Sequence, residues 1–99
     1  VKVIYVAGKY RADSESGVFE NIIHSRAVAQ RLWHEGWAVI CPHMNSAFMG
    51  LNLIFLDGDL EILKRCDAIY MLKDWEQSVG ATKELEIAKK CGLKVYFEE

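Results

Sequence analysis

Glu84 and Asp59 are the residues best placed in this sequence to do chemistry, because each is a carboxylate set among apolar neighbours at helical spacing. With Glu84 at zero and about 100° of turn per residue, Gly80, Ala81, Ile87, Ala88 and Cys91 fall within about 60° of it, while Thr82, Lys83, Glu86, Lys89 and Lys90 face away. With Asp59 at zero, Phe55, Leu56, Ile62, Leu63 and Cys66 fall within about 60°, and Asp57, Glu61, Lys64 and Arg65 face away. An ionised carboxylate buried without partners is strongly destabilising, so packing alone rarely selects one at the centre of an apolar stripe. A cap, a buried basic partner or a wet helix end accounts for either acid alone. Asp59 in particular lies near a helix start, where the macrodipole favours a carboxylate. Two such acids on consecutive helices point to a function beyond packing.

Other residues offer binding rather than chemistry. Ser78 is a natural N-cap for the helix that carries Glu84, and Gly80 in its first turn leaves the amides open to an anion such as a phosphate. A capped helix with a turn glycine is the plainer account of the same motif. Tyr5 falls mid-strand, where a buried phenol needs a partner and a buried carboxylate is a good one. Gly8, Tyr10 and Arg11 follow at the carboxyl end of that strand. Arg11 either adds charge toward a phosphate or is simply solvated, and Trp75 either stacks on a planar ring or packs beside a strand end.

The elements that must position these residues alternate. Lys2 to Ala7 is β-branched and aromatic and ends at Gly8, which reads as a strand. Phe19 to Glu35 reads as a helix stopped by Gly36. Trp37 to Cys41 is a second strand closed by Pro42, and Pro42 to Leu53 a loop holding His43, Asn45 and Ser46, with room for a short helical turn. Ile54 to Cys66 is a helix, Asp67 to Leu72 a strand, Val79 to Cys91 a helix and Leu93 to Phe97 a fourth strand. The order βαβαβαβ, joined by right-handed crossovers, gives a four-stranded parallel sheet with three main helices on its two faces, a three-layer Rossmann-like (flavodoxin-like) α/β sandwich. Ligands of such sheets bind beyond the carboxyl ends of the strands at a topological switch point. The loops Gly8 to Gly17, Pro42 to Leu53 and Lys73 to Ser78 leave that edge.

Composition narrows the function classes. Ninety-nine residues with 52% hydrophobic content make one domain, residues 1–99, with a single core. Twelve Lys and Arg against 14 Asp and Glu leave a net charge of −2, without the basic excess that a nucleic-acid polymer requires. No apolar run approaches a membrane span and no secretory leader opens the sequence, so a cytoplasmic protein is expected. Cys41, Cys66 and Cys91 are odd in number and unpaired in spacing, which predicts reduced core thiols rather than a disulfide framework or a zinc site. His24, His34 and His43 are equally scattered, and no metal is expected.

Read in order, Tyr5-Val6-Ala7-Gly8, Gly58-Asp59-Leu60, Cys66-Asp67-Ala68 and Ser78-Val79-Gly80 with Glu84 beyond resemble the nucleoside 2-deoxyribosyltransferase-like superfamily, closest to a small branch common in bacteriophages and bacteria. The resemblance spans nearly the whole chain. It implies cleavage of an N-glycosidic bond without a cofactor, in which Glu84 attacks the anomeric carbon, Asp59 assists the leaving base and Tyr5 positions the nucleophile. Ser78 stands where the nucleotide hydrolases of this superfamily contact a 5′-phosphate and the transferases carry an aspartate. The implied ligand is therefore a nucleoside 5′-monophosphate. Gly8, Arg11 and Gly80 match positions that line phosphate and sugar, and His43 loosely matches a pocket histidine. Lys9 and Tyr10 stand where the hydrolases carry smaller residues. The sequence ends at Glu99 after the fourth strand, where the superfamily continues, so a pocket that is more open or completed by other surfaces is expected. A binding module that holds a nucleotide without chemistry is the alternative. High apolar content in a short chain predicts a homodimer or larger homo-oligomer, through faces bearing Ile22, Ile23 and Trp33 or through Phe48, Met49 and Leu51.

Overall fold

The computed structural model describes residues 1–45 and 54–99. In its first strand, β1 (Val3–Ala7), the four residues after Val3 are all buried, as are all four of β3 (Ala68–Met71). Such runs belong to strands covered on both faces. These two form the centre of a parallel sheet in the order β2-β1-β3-β4, with β2 (Ala38–Ile40) and β4 (Lys94–Phe97) at its edges. Tyr5 pairs with Ile40 on one side and with Ile69 on the other.

Alternation along the strands divides the core in two. Ile4, Val6, Ala68, Tyr70 and Leu72 pack with Val28, Ala29 and Leu32 of helix α1 (Glu15–His34). Tyr5, Ala7, Ile69 and Met71 pack on the opposite face. There they meet Leu63 of α3 (Ile54–Lys64) and Ala81, Leu85 and Ala88 of α4 (Val79–Lys90). The expected three-layer α/β sandwich is the observed one. Because β1 connects outward to β2 and the chain then crosses back to β3, the switch point falls between the carboxyl ends of β1 and β3.

Several boundaries differ from expectation. Helix α1 begins at Glu15, not Phe19, because the Ser14 side chain accepts a hydrogen bond from Gly17 N and caps it. Gly17 therefore belongs to the helix: a β-carbon there would stand 2.6 Å from that of Ala12, so the glycine lets the incoming chain fold tightly against the first turn. The stretch before α4 holds a 3₁₀ turn at Trp75–Gln77, whereas the short helix α2 (Pro42–Asn45) is the helical turn for which the loop after β2 had room. Gly36, at φ +101°, ends α1 as expected. Only Cys66 among the three cysteines is a core residue; Cys41 is half-buried, and Cys91 is exposed because it lies past the end of α4. Ile22 is a core residue at 2% exposure and offers nothing to a partner, whereas Ile23 and Trp33 are exposed. The expected contacts of Phe48, Met49 and Leu51 lie outside the described residues. Among the described residues, no helix is long and apolar enough to cross a membrane.

Candidate active site

A cavity of about 560 Å³ opens at the switch point between β1 and β3. Its floor is the end of β1 and the loop after it, from Val6 to Arg11; one wall is α3 with Phe55, Leu56 and Asp59, and the other is the start of α4 with Ser78, Gly80 and Glu84. His43 and Pro42 of α2 close a third side. Of the residues singled out from the sequence, Gly8, Tyr10, Arg11, His43, Asp59, Ser78, Gly80 and Glu84 all line this space. Tyr5 does not. It lies beneath Glu84, fully buried, and its hydroxyl donates a hydrogen bond to Glu84 Oε2.

Glu84 is 7% exposed, and the helical count explains why: α4 turns that face toward the sheet, where Glu84 also lines the cavity. Burial raises the Glu84 carboxyl to about 7, the hydrogen bond from Tyr5 pulls it down, and the charge of Asp59 pushes it up again. Tyr5 is raised far above the ordinary phenol range by burial and by the neighbouring Glu84, so it stays protonated as a donor. Asp59 is half-buried, and that partial burial raises its carboxyl as well. The two acids thus act on one another and retain a proton more readily than ordinary carboxyls. Asp59 is wetter than the helical count predicts because the first turns of α3 flank the cavity, while Leu63 and Cys66 further along take the sheet contact.

At the start of α4, Ser78 Oγ accepts from Ala81 N at 3.1 Å and the Ser78 carbonyl accepts from Thr82 N at 3.0 Å. The amides of Val79 and Gly80 precede both bonds and have no partner within the helix. No acidic side chain of α4 occupies its first turn, and a β-carbon on Gly80 would meet nothing nearer than Ser78 Oγ at 3.8 Å. These amides can receive an anion. Gly8 is glycine for a different reason than ligand access: a β-carbon there would lie 2.6 and 2.7 Å from Leu72 Cδ1 and Cβ, so the ends of β1 and β3 approach too closely for any side chain.

His43 is buried, which lowers its pKa and keeps the ring neutral, and its Nε2 donates to the Lys9 carbonyl at 2.9 Å. Its ring meets that of Tyr10 edge-on at 5.4 Å, and Asn21 Nδ2 donates to the Tyr10 carbonyl at 3.1 Å. The loop after β1 is therefore held from both sides. Arg11 is exposed at the cavity rim. Trp75 packs against Phe97 rather than into the cavity. Phe55, Leu56, Gln77 and Val79 also line the space but were not read as site residues. Phe55 and Leu56 share the Asp59 face in the helical count, a signal that could have found them; Gln77 and Val79 carried none beyond adjacency to Ser78. Among the described residues, no three His, Cys, Asp or Glu side chains group as metal ligands.

The model of the family described as domain of unknown function DUF4406 matches residues 2–97. Among solved structures, the fold is similar to that of a 2-deoxyribosyltransferase from the psychrotolerant bacterium Bacillus psychrosaccharolyticus, with a TM-score of 0.73 and 21% identity over 96% of this chain and 70% of that one. It is also similar to a 2-deoxyribosyltransferase from Leishmania mexicana, with a TM-score of 0.64 and 17% identity over 98% of this chain and 63% of that one. No curated protein matches. At these identities the likeness is one of fold.

Proposed function

The chain belongs to the DUF4406 family, and we propose that it cleaves the N-glycosidic bond of a nucleoside 5′-monophosphate, a deoxynucleotide in preference, with Glu84 as the nucleophile. The observation that carries this reading is a buried carboxylate, Glu84, hydrogen-bonded from behind by Tyr5 and facing a cavity that it shares with Asp59 and an open helix N-terminus. The similarity in fold to 2-deoxyribosyltransferases supports it.

In the first step the Glu84 carboxylate attacks the anomeric carbon. The bond from that carbon to the base nitrogen breaks with its electron pair on the nitrogen, and Asp59 delivers a proton there. The productive form of the acid pair holds one proton, on Asp59, and the hydrogen bond from Tyr5 favours the charge on Glu84. In the second step water attacks the glycosyl ester, Asp59 takes the proton, and the sugar phosphate leaves; a second base in place of water makes the reaction a transfer. The amides of Val79 and Gly80, the Ser78 hydroxyl and Arg11 seat the 5′-phosphate, whose binding aligns the reacting carbon with Glu84. His43, Tyr10, Phe55 and Leu56 shape the remaining walls. The working unit in this reading is a homodimer or larger homo-oligomer, and its ligand is a small molecule rather than a nucleic-acid polymer.

Incubation with a panel of ribo- and deoxynucleoside monophosphates, followed by detection of free base, tests the proposal. Base release is expected from at least one member, and Glu84→Gln should abolish it while retaining nucleotide binding. Unchanged turnover in that variant refutes the nucleophile. Tight binding with no base released from any member makes the cavity a nucleotide-binding module.

A further inference from the structure

Lys9 belongs neither to the acid pair nor to the helix cap, yet it lines the same cavity. From the loop after β1 its ammonium donates to Gln77 Oε1 at 3.2 Å, and Gln77 is the residue before the Ser78 cap. The bridge brings a positive charge to the same end of the cavity as the open amides of α4. The partner's chemistry matters here. An amide oxygen fixes an ammonium without cancelling its charge and uses only one of its three donors, where a carboxylate would have neutralised it. Among the described residues, Lys9 forms no ion pair. Its backbone is fixed too, since the Lys9 carbonyl accepts from His43. Arg11, two residues on, is exposed, whereas Lys9 is half-buried. A half-buried, unneutralised cation at the edge of a cavity is a poor device for stability and a good one for reading a compact anion.

We propose that Lys9 is the residue by which this cavity distinguishes a phosphorylated ligand from the same ligand without its phosphate, and that Gln77 is the positioning residue that presents it. The choice of sugar phosphate as ligand rests on the nucleotide reading above. Lys9 supplies a charge-assisted hydrogen bond to a phosphate oxygen opposite the α4 amides, and Gln77 keeps the ammonium over the cavity before the ligand arrives.

The test titrates 2-deoxyribose 5-phosphate and 2-deoxyribose into the full chain and into Lys9→Met, Lys9→Arg and Gln77→Leu, with thermal melts to confirm folding. Loss of one charge-assisted bond predicts that Lys9→Met weakens sugar-phosphate binding roughly 10- to 100-fold, while binding of the unphosphorylated sugar is unchanged. Lys9→Arg should recover most of the loss, Gln77→Leu should weaken the phosphate ligand alone by a few-fold, and added salt should cost the wild type more affinity than Lys9→Met. Equal sugar-phosphate affinity in wild type and Lys9→Met overturns the proposal, as does equal loss for both ligands, or a wild type that binds the phosphate no better than the sugar. Base release from nucleotides is scored separately. Its absence, with Lys9-dependent phosphate binding intact, sinks the cleavage reading and leaves this one standing.

Discussion

At the scale of the residue, Glu84 sets a measurable balance between stability and chemistry. Its carboxyl is held near 7 in the folded chain, chiefly by burial, against an ordinary value of 4.5. Between those values the native state binds more protons than the unfolded chain, so stability falls as pH rises through the window. The contribution is fully present below about 4.5 and is lost once pH passes the folded value of about 7. The shift is worth on the order of 3 kcal/mol. Glutamine keeps an oxygen for the Tyr5 hydroxyl but carries no titrating charge. Urea denaturation of Glu84→Gln at pH 4, 6 and 8 should therefore show a stability advantage over the wild type that is small at the lowest pH and grows to about 2–3 kcal/mol at the highest. Asp59 is raised by its own partial burial, which the substitution leaves in place, so the difference between the two proteins reports the loss of the Glu84 charge together with its effect on Asp59. Parallel curves for the two proteins would mean that Glu84 is not the strained carboxyl that the fold makes it.

The elements explain what the sequence could and could not disclose. Alternation of strand and helix was legible because apolar runs and glycine stops are local signals, and a parallel sheet followed from the crossovers; the order β2-β1-β3-β4 was not, because it rests on pairing between strands distant in sequence. Glu84 was legible because helical periodicity alone places it on the sheet-facing side of α4. Its partner Tyr5 was legible only as a phenol in need of an acceptor; the contact spans 79 residues of sequence. The early start of α1 was missed because Gly17 reads as a loop residue, and its tight approach to Ala12 is visible only in three dimensions. Gly8 and Gly80 make the same point. Both read as room for a ligand, yet they differ in what surrounds them. Gly8→Ala drives a β-carbon into Leu72, including its Cβ, which cannot swing aside, and should destabilise the fold by about 1–3 kcal/mol. Gly80→Ala meets open space and should leave stability unchanged or raised by up to about 1 kcal/mol, while weakening sugar-phosphate binding by crowding the amides. Denaturation midpoints and sugar-phosphate titrations of the pair check this. Equal destabilisation by both, or a Gly80→Ala protein that binds as well as wild type, would remove the distinction.

At the scale of the whole molecule, the described chain is self-contained in packing but not in surface. Its radius of gyration is 12.4 Å, close to the ~13 Å expected of 100 folded residues, so its apolar exposure does not come from a loose body. Among the described residues, half of the exposed large hydrophobics lie on α1, where Phe19, Ile23 and Trp33 are 53%, 42% and 56% exposed. Ile23 and Trp33 each fall within about 40° of Phe19 around the helix axis, and the stripe faces away from the buried Val28 and Leu32. Trp33 also borders a groove of about 490 Å³ beside edge strand β2, whose walls include Ala29, Val39, Ile40 and Ile62. A stripe of large apolar side chains beside an edge strand is the kind of surface that an interface between copies uses. The chain should therefore sediment as a dimer or larger species at micromolar concentration, and Ile23→Glu combined with Trp33→Glu should return it to a monomer with an unchanged far-UV spectrum. Because both positions lie on the sheet face away from Glu84 and Asp59, the monomeric variant should still bind sugar phosphate. A wild type that sediments as a monomer would leave the α1 stripe without this role.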